Sequence, residues 1–309
     1  MMIAADDDLL DIARHGRRGQ SLSMLFTAAV RYLALELGHS GLDDLFRGRV
    51  RVDELDHLYP EYRSFVLDHA REIRSIIALK VVNKNEIRRS ACLRALLIAV
   101  CRAMEWQRVQ IVEIGCSVGL NLLLDKFSFV YRAIAAGPSP AGPLTIPIGV
   151  VSGQPPEAPM PEIVSRTGID LEFVDPVNPS DRNWILSQIL PEDSGDLAIM
   201  DNALSMLAEE SPSIHIGDAS TLVGQLARDL PGDVPVVFMH SMALHQFDLS
   251  QKRQFTMALR QISQHRTCGR ISMELAGDAC QLRSSAPRAD LPGVILGTAD
   301  MDAHWMTWQ

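Results

Sequence analysis

Ten consecutive residues constrain this chain more than any others: Val112-Glu113-Ile114-Gly115-Cys116-Ser117-Val118-Gly119-Leu120-Asn121. Residues 109–114 form a short apolar run rich in β-branched side chains, which reads as a buried strand. Two glycines four residues apart follow at once. Glycine accepts backbone angles that other residues resist and lets a ligand approach the main chain. From residue 120 to 134 apolar side chains return at helical spacing, so the segment reads as strand, tight turn and helix. A helix starting there would aim free N–H groups and the positive end of its dipole at the turn.

The rest of the chain repeats that alternation. Residues 163–170, 213–217, 234–240 and 270–275 read as strands. Residues 181–190, 196–209, 220–230 and 250–265 read as helices, the first with Ser180 as its N-cap. Residues 293–298 and 304–308 read as a hairpin around 299–303. Strands alternating with helices imply a mainly parallel sheet covered on both faces. The expected fold is a doubly wound, Rossmann-like sheet with a C-terminal antiparallel hairpin. That order of elements resembles the methyltransferase sheet, which implies five parallel strands and then a last strand inserted antiparallel. Residues 137–161 hold eight prolines, which excludes a long helix. This stretch reads as an insertion over 137–162, within which residues 144–151 can form an edge strand or hairpin.

Upstream of residue 108 the pattern is helical only. Leu22, Leu25, Phe26, Ala29, Tyr32 and Leu33 recur at three- and four-residue steps. Phe65, Val66, His69, Ile73, Ile76 and Ile77 do the same, and so do Ile87, Leu93, Leu96, Leu97, Val100 and Met104. The expected organisation is an all-helical N-terminal cap over residues 1–106 and an α/β domain over 107–309.

Three ligand chemistries compete for the glycine turn. A dinucleotide fingerprint wants Gly-x-Gly-x-x-Gly, and the spacing here is Gly-x-x-x-Gly. A nucleophile elbow fits literally, because residues 115–119 read Gly-x-Ser-x-Gly, with Asp218 or Asp233 and His240 or His245 following in order. A hydrolase nucleophile, however, follows several strands, and this chain offers helices there. The third is S-adenosylmethionine: Glu113, two positions before the first glycine, gives little to a phosphate but suits a sulfonium with a free amino group. Asp170 and Asp218 close the second and third strands, where open α/β sheets bind ligands. An acid there can accept from ribose hydroxyls or reach an adenine amino group. The expected cofactor set is Glu113, Gly115, Ser117, Gly119, Asn121, Asp170 and Asp218.

His240, at the end of the fourth strand, is a candidate to contact substrate or act as general base. With Ser241, His245 and Asp248 it could also frame a metal, but the spacing is not diagnostic and no metal is expected. A net charge of −9 argues against nucleic acid or an anionic membrane as partner, despite the Arg14, Arg17 and Arg18 cluster. No apolar run reaches a membrane span, and five scattered cysteines form no Cys-x-x-Cys pair, so a reducing cytoplasm is expected.

Beyond the turn, Asn85-Glu86, Arg89-Ser90, Asp125, Arg166-x-Gly168-x-Asp170-Leu171, Gly217-Asp218-Ala219, His240-Ser241 and Trp305-Met306-x-Trp308 resemble, across nearly the whole chain, an uncharacterised bacterial family, domain of unknown function 2332. That family is grouped by fold with S-adenosylmethionine-dependent methyltransferases, which implies the cofactor but not the reaction. Two positions depart from its pattern: Asn83-Lys84 stand where it has Gln-Thr, and Asp302-Ala303 where it has His-Gly. Asn85 and Glu86 read as polar residues within a helix, either functional or structural, with Glu86 placed to pair with Arg89. The expectation is a methyltransferase acting on a small molecule. The alternatives are a non-catalytic S-adenosylmethionine-binding or interaction protein and a hydrolase using Ser117.

Overall fold

In the computed structural model, residues 3–47, 49–50, 55–133, 144–189 and 196–309 are described. Internal contacts divide the chain into two units, Met1–Asn85 with Asp175–Ser205, and Glu86–Val174 with Met206–Gln309.

The first unit is built from helices α1 (Asp7–Ala13), α2 (Leu22–Leu37), α3 (Asp43–Phe46), α4 (Leu55–Asp68) and α5 (Ala70–Leu79). The apolar repeat from Phe65 to Ile77 is thus two helices that meet at His69. Leu25, Ala29, Phe65, Val66, Ile73 and Ile77 bury the stripes that the periodicity marks. The unit also takes in helix α7 (Pro179–Ser187), which packs on α2 and buries Trp184 in the same core. Asn178, not Ser180, caps α7: its side chain accepts from the Ser180 and Asp181 amides, and Pro179 occupies the first turn.

The second unit is a mixed α/β structure around one ten-stranded, mostly parallel sheet. Helix α6 (Arg89–Ala103) leads into β1 (Arg108–Ile114), β2 (Ser128–Ala133), β3 (Thr145–Ser152) and β4 (Glu162–Asp170). After helix α8 (Asp196–Glu210) come β5 (Ser213–Ile216), α9 (Ala219–Asp229), β6 (Val236–Ser241), α10 (Leu249–His265), β7 (Cys268–Ala276), β8 (Ala279–Ser285), β9 (Val294–Ala299) and β10 (Trp305–Trp308). The spatial order is β2-β3-β10-β9-β8-β7-β6-β1-β4-β5. Strands β5, β4, β1, β6 and β7 are parallel, and the chain reverses its direction of travel between β1 and β6.

Side-chain alternation decides what each face carries. Val112, Ile114, Val236 and Phe238 pack under α9 and α10 with Val223, Phe255, Leu259 and Ile262. Each such buried side chain contributes about 1.5–3 kcal/mol relative to exposure. Helix α6 lies against β6, β7 and β8 on the opposite face.

Three expectations need correcting. The helix over 120–134 is absent: Leu120–Leu123 make one 3-10 turn, and the chain re-enters the sheet as β2 (Ile134 and residues 137–143 lie outside the described residues). The leucines that suggested a helix are buried singly around a tight turn. That turn is clamped by Arg166, which makes two 2.7 Å bonds to Asp125 and a third to the Leu122 carbonyl. Second, β3 is internal, paired to β2 and β10. Third, the antiparallel neighbour of β7 is β8, which follows it through a hairpin turn at Gly277 rather than being inserted by the last strand. The expected hairpin of the last two strands is present as β9 and β10.

Candidate functional site

The carboxyl end of β1 is a turn whose amides look inward. Gly115 and Cys116 donate to the Ile169 carbonyl of β4 at 2.9 and 3.3 Å, and Gly119 donates to Cys116 at 2.8 Å. The Ser117 amide donates to Asp170 Oδ2 at 2.7 Å. This path requires left-handed backbone at Gly115 (φ +70°), Ser117 (+50°) and Gly119 (+92°). A Cβ at Gly115 would also stand 2.7 Å from that of Ala243, beyond β6. Gly168, in β4, leaves room for Cys116, whose Sγ would lie 2.5 Å from an added Cβ.

Beneath the turn Glu113 is fully buried. Its Oε1 accepts from Asn121 Nδ2 at 2.7 Å, and Oε2 has no hydrogen-bond partner among the described residues. Ser90 of α6 stands behind Asn121, its single hydroxyl hydrogen shared between the Ile87 carbonyl at 2.6 Å and Asn121 Oδ1 at 3.0 Å. Burial pushes the Glu113 carboxyl up to about 8. The Asn121 bond opposes the rise, and the charge of Asp170 adds to it. Asp170 Oδ1 accepts from the Glu172 amide at 3.3 Å. The structure therefore gathers Glu113, Gly115, Ser117, Gly119, Asn121 and Asp170 into one corner. Burial raises the Cys116 thiol well above its ordinary range, so it is no thiolate nucleophile.

Asp218 stands apart in its bonding. It is the N-cap of α9, accepting from Ser220 at 2.8 Å, and its other oxygen accepts from Gln251 at 2.9 Å. Burial alone would raise its pKa, but these bonds outweigh burial and hold it lowered.

His240 ends β6 on the α9/α10 side of the sheet, edge-on to Phe255, whereas Glu113 faces the α6 side. It is 2% exposed; Nδ1 lies 2.7 Å from Glu274 Oε1, and Nε2 is buried without a partner. Glu274 was not among the residues singled out from sequence. Its position near the carboxyl end of β7, two strands from β1, is the signal that could have found it. The same Oε1 accepts from the Ala243 and Leu244 amides at 3.0 Å. Burial raises this carboxyl, but His240 and the two amides outweigh it and leave the pKa lowered.

Asn85 and Glu86 precede α6 rather than lying within it. Asn85 donates to the Asn83 carbonyl at 3.1 Å. Glu86 engages Arg88, not Arg89, while Arg89 reaches the Met301 carbonyl and Asp302. Among the described residues no cluster of three or more His, Cys, Asp or Glu is arranged to hold a metal. No helix there is long and apolar enough to cross a membrane.

A family profile spanning residues 1–308 decides the relationship. The chain belongs to domain of unknown function 2332. That family is described as uncharacterized protein conserved in bacteria. No curated protein matches the sequence. For this family member, then, the site's own chemistry has to carry the functional argument.

Proposed function

We propose that this protein binds S-adenosylmethionine at the carboxyl end of β1 and transfers its methyl group to a small-molecule acceptor in the cytoplasm. The polarity of the glycine turn carries the reading. The amides of Gly115, Cys116, Ser117 and Gly119 are spent on protein acceptors, and no helix dipole follows the turn. A phosphate finds these four amides already occupied and meets Asp170. A ligand with an ammonium, a sulfonium and sugar hydroxyls meets complementary groups. The strand order β5-β4-β1-β6-β7, which is 3-2-1-4-5 in the order of those five strands, supports a Rossmann-like arrangement with the ligand at its switch point.

The cofactor, when bound, supplies an electrophilic methyl group. Asp170 is the acceptor for sugar hydroxyls. Glu113 faces the cationic amino-acid end, and Asn121 orients it. Gly115 and Gly119 keep side chains off the turn, and Ser117 ties it to Asp170. Asp218 contributes through the α9 cap. Methyl transfer demands mainly in-line positioning of the acceptor, so few residues need act chemically. His240 is the candidate to take a proton from the acceptor, with Asn85 and Glu86 as candidate acceptor contacts. Five free, buried cysteines suit a reducing compartment.

Calorimetry with S-adenosylmethionine, its demethylated product and NAD tests the binding. Micromolar binding of the first two, weakened at least tenfold in Asp170→Ala, is the expected result. Binding of NAD alone would overturn the reading. Binding of the cofactor without turnover in an acceptor screen would leave a sensor. Labelling of Ser117 by a fluorophosphonate would favour a hydrolase, although His240 Nε2 makes no hydrogen bond to any side chain.

A further inference from the structure

Among the described residues, the helical unit contains a buried cation with no acid of its own. Arg31, on α2, is 3% exposed. Its Nη1 donates to the Ile189 carbonyl, its guanidinium lies 5.9 Å from the Phe46 ring centre, and its Nε has no partner. Asp43 is the acid whose charge acts on Arg31, but Arg47 holds it through both oxygens at 2.7 and 2.8 Å. Burial lowers the Arg31 pKa to about 10, and Arg47 adds to the fall, so the group stays charged at neutral pH.

Arg31 lines a cavity of about 600 Å³ with Leu35, Phe46, Leu186, Leu197 and Ala198, within the range of small-ligand sites. The other charges at its wall are matched: Arg47 with Asp43, Arg49 with Asp44, and Asp201 with Arg182. Among the described residues one positive charge is left over, and it is the buried one. A buried charge is stable when paired, and a guanidinium pairs best with a planar oxyanion.

We infer that this cavity binds a small organic monocarboxylate, with its carboxylate on Arg31 and its apolar body against Phe46, Leu35, Leu186 and Leu197. The site lies wholly within the helical unit and does not depend on the cofactor reading.

Calorimetry and thermal shift on the full chain at pH 7, with benzoate, hexanoate, hexanol and inorganic phosphate as probes, test this. One benzoate or hexanoate per chain is expected to bind and raise the melting temperature, with hexanol and phosphate at least about tenfold weaker. Arg31→Met keeps the volume, removes an unpaired buried charge, and should fold at least as stably while losing carboxylate binding. Leu35→Glu places a carboxylate of the chain's own beside Arg31 and should block the probes while circular dichroism stays unchanged. Binding that survives in both folded variants, phosphate binding alone, or no binding by either carboxylate would overturn the inference.

Discussion

Glu113 and Glu274 lie on strands separated only by β6, Glu113 fully buried and Glu274 with 19% of its side chain exposed. Their acidities nevertheless move in opposite directions. Among the described residues Glu113 has one side-chain donor, Asn121, and the charge of Asp170 acts on it; it is pushed up to about 8. Glu274 gathers His240 and two backbone amides on a single oxygen and is lowered. Burial raises both, so the difference lies in the donors each face of the sheet supplies. One acid keeps an oxygen with no donor among the described residues and holds its proton at neutral pH, and the other is already committed to holding His240 and the loop after β6.

The largest expected effect tests that contrast directly. Glu274→Met strands an imidazole and two amides and should cost about 3–5 kcal/mol. Glu113→Met, at matched volume, should cost about 1 kcal/mol or less, because it also removes a poorly solvated carboxyl. Urea midpoints at pH 7 measure both, and equal losses would break the comparison.

Next comes the pH dependence. A carboxyl whose folded pKa lies above its unfolded value contributes stability that is whole at low pH and is lost as pH climbs. For Glu113 the loss runs from about 4.5 to about 8, with a slope on the order of 1 kcal/mol per pH unit. Glu113→Gln should flatten that slope. Glu274 has the opposite sign: its contribution is complete above the ordinary carboxylate range and vanishes as pH falls through its lowered value. Stability curves in urea from pH 3 to 9 separate the two. An unchanged slope in Glu113→Gln would mean that Glu113 ionises normally.

The smallest effect falls on Asn121. Asn121→Ala removes the Nδ2 donor to Glu113 and leaves Ser90 its Ile87 acceptor, and should cost about 0.5–1 kcal/mol. It should also move the Glu113 titration higher, readable from the carboxyl resonance by NMR. A downward shift would show that Asn121 is not what restrains the rise.

Much of this corner was legible in the residues. The β-branched run, the two glycines and the acids at strand ends specify strand, reversal and strand-end carboxylates by local chemistry alone. Asp170 falls where the alternation puts it, beside the turn. The segment after the turn imitates a helix because its closely spaced leucines, Leu120, Leu122, Leu123 and Leu124, suit one, while the Arg166–Asp125 clamp that holds a tight turn comes from a strand 41 residues away. Glu274 carries no local mark for the same reason: nothing next to it in the chain names its partner.

By itself, then, the sequence determined the alternating strands and helices of the second unit, the helical character of the first and the reversal at Gly115, since periodicity and backbone freedom are properties of neighbouring residues. Only the tertiary structure decided strand order, the turn that replaces a helix, and which buried acid holds its proton. Those outcomes depend on which groups meet across the fold, and such meetings leave no mark on local spacing.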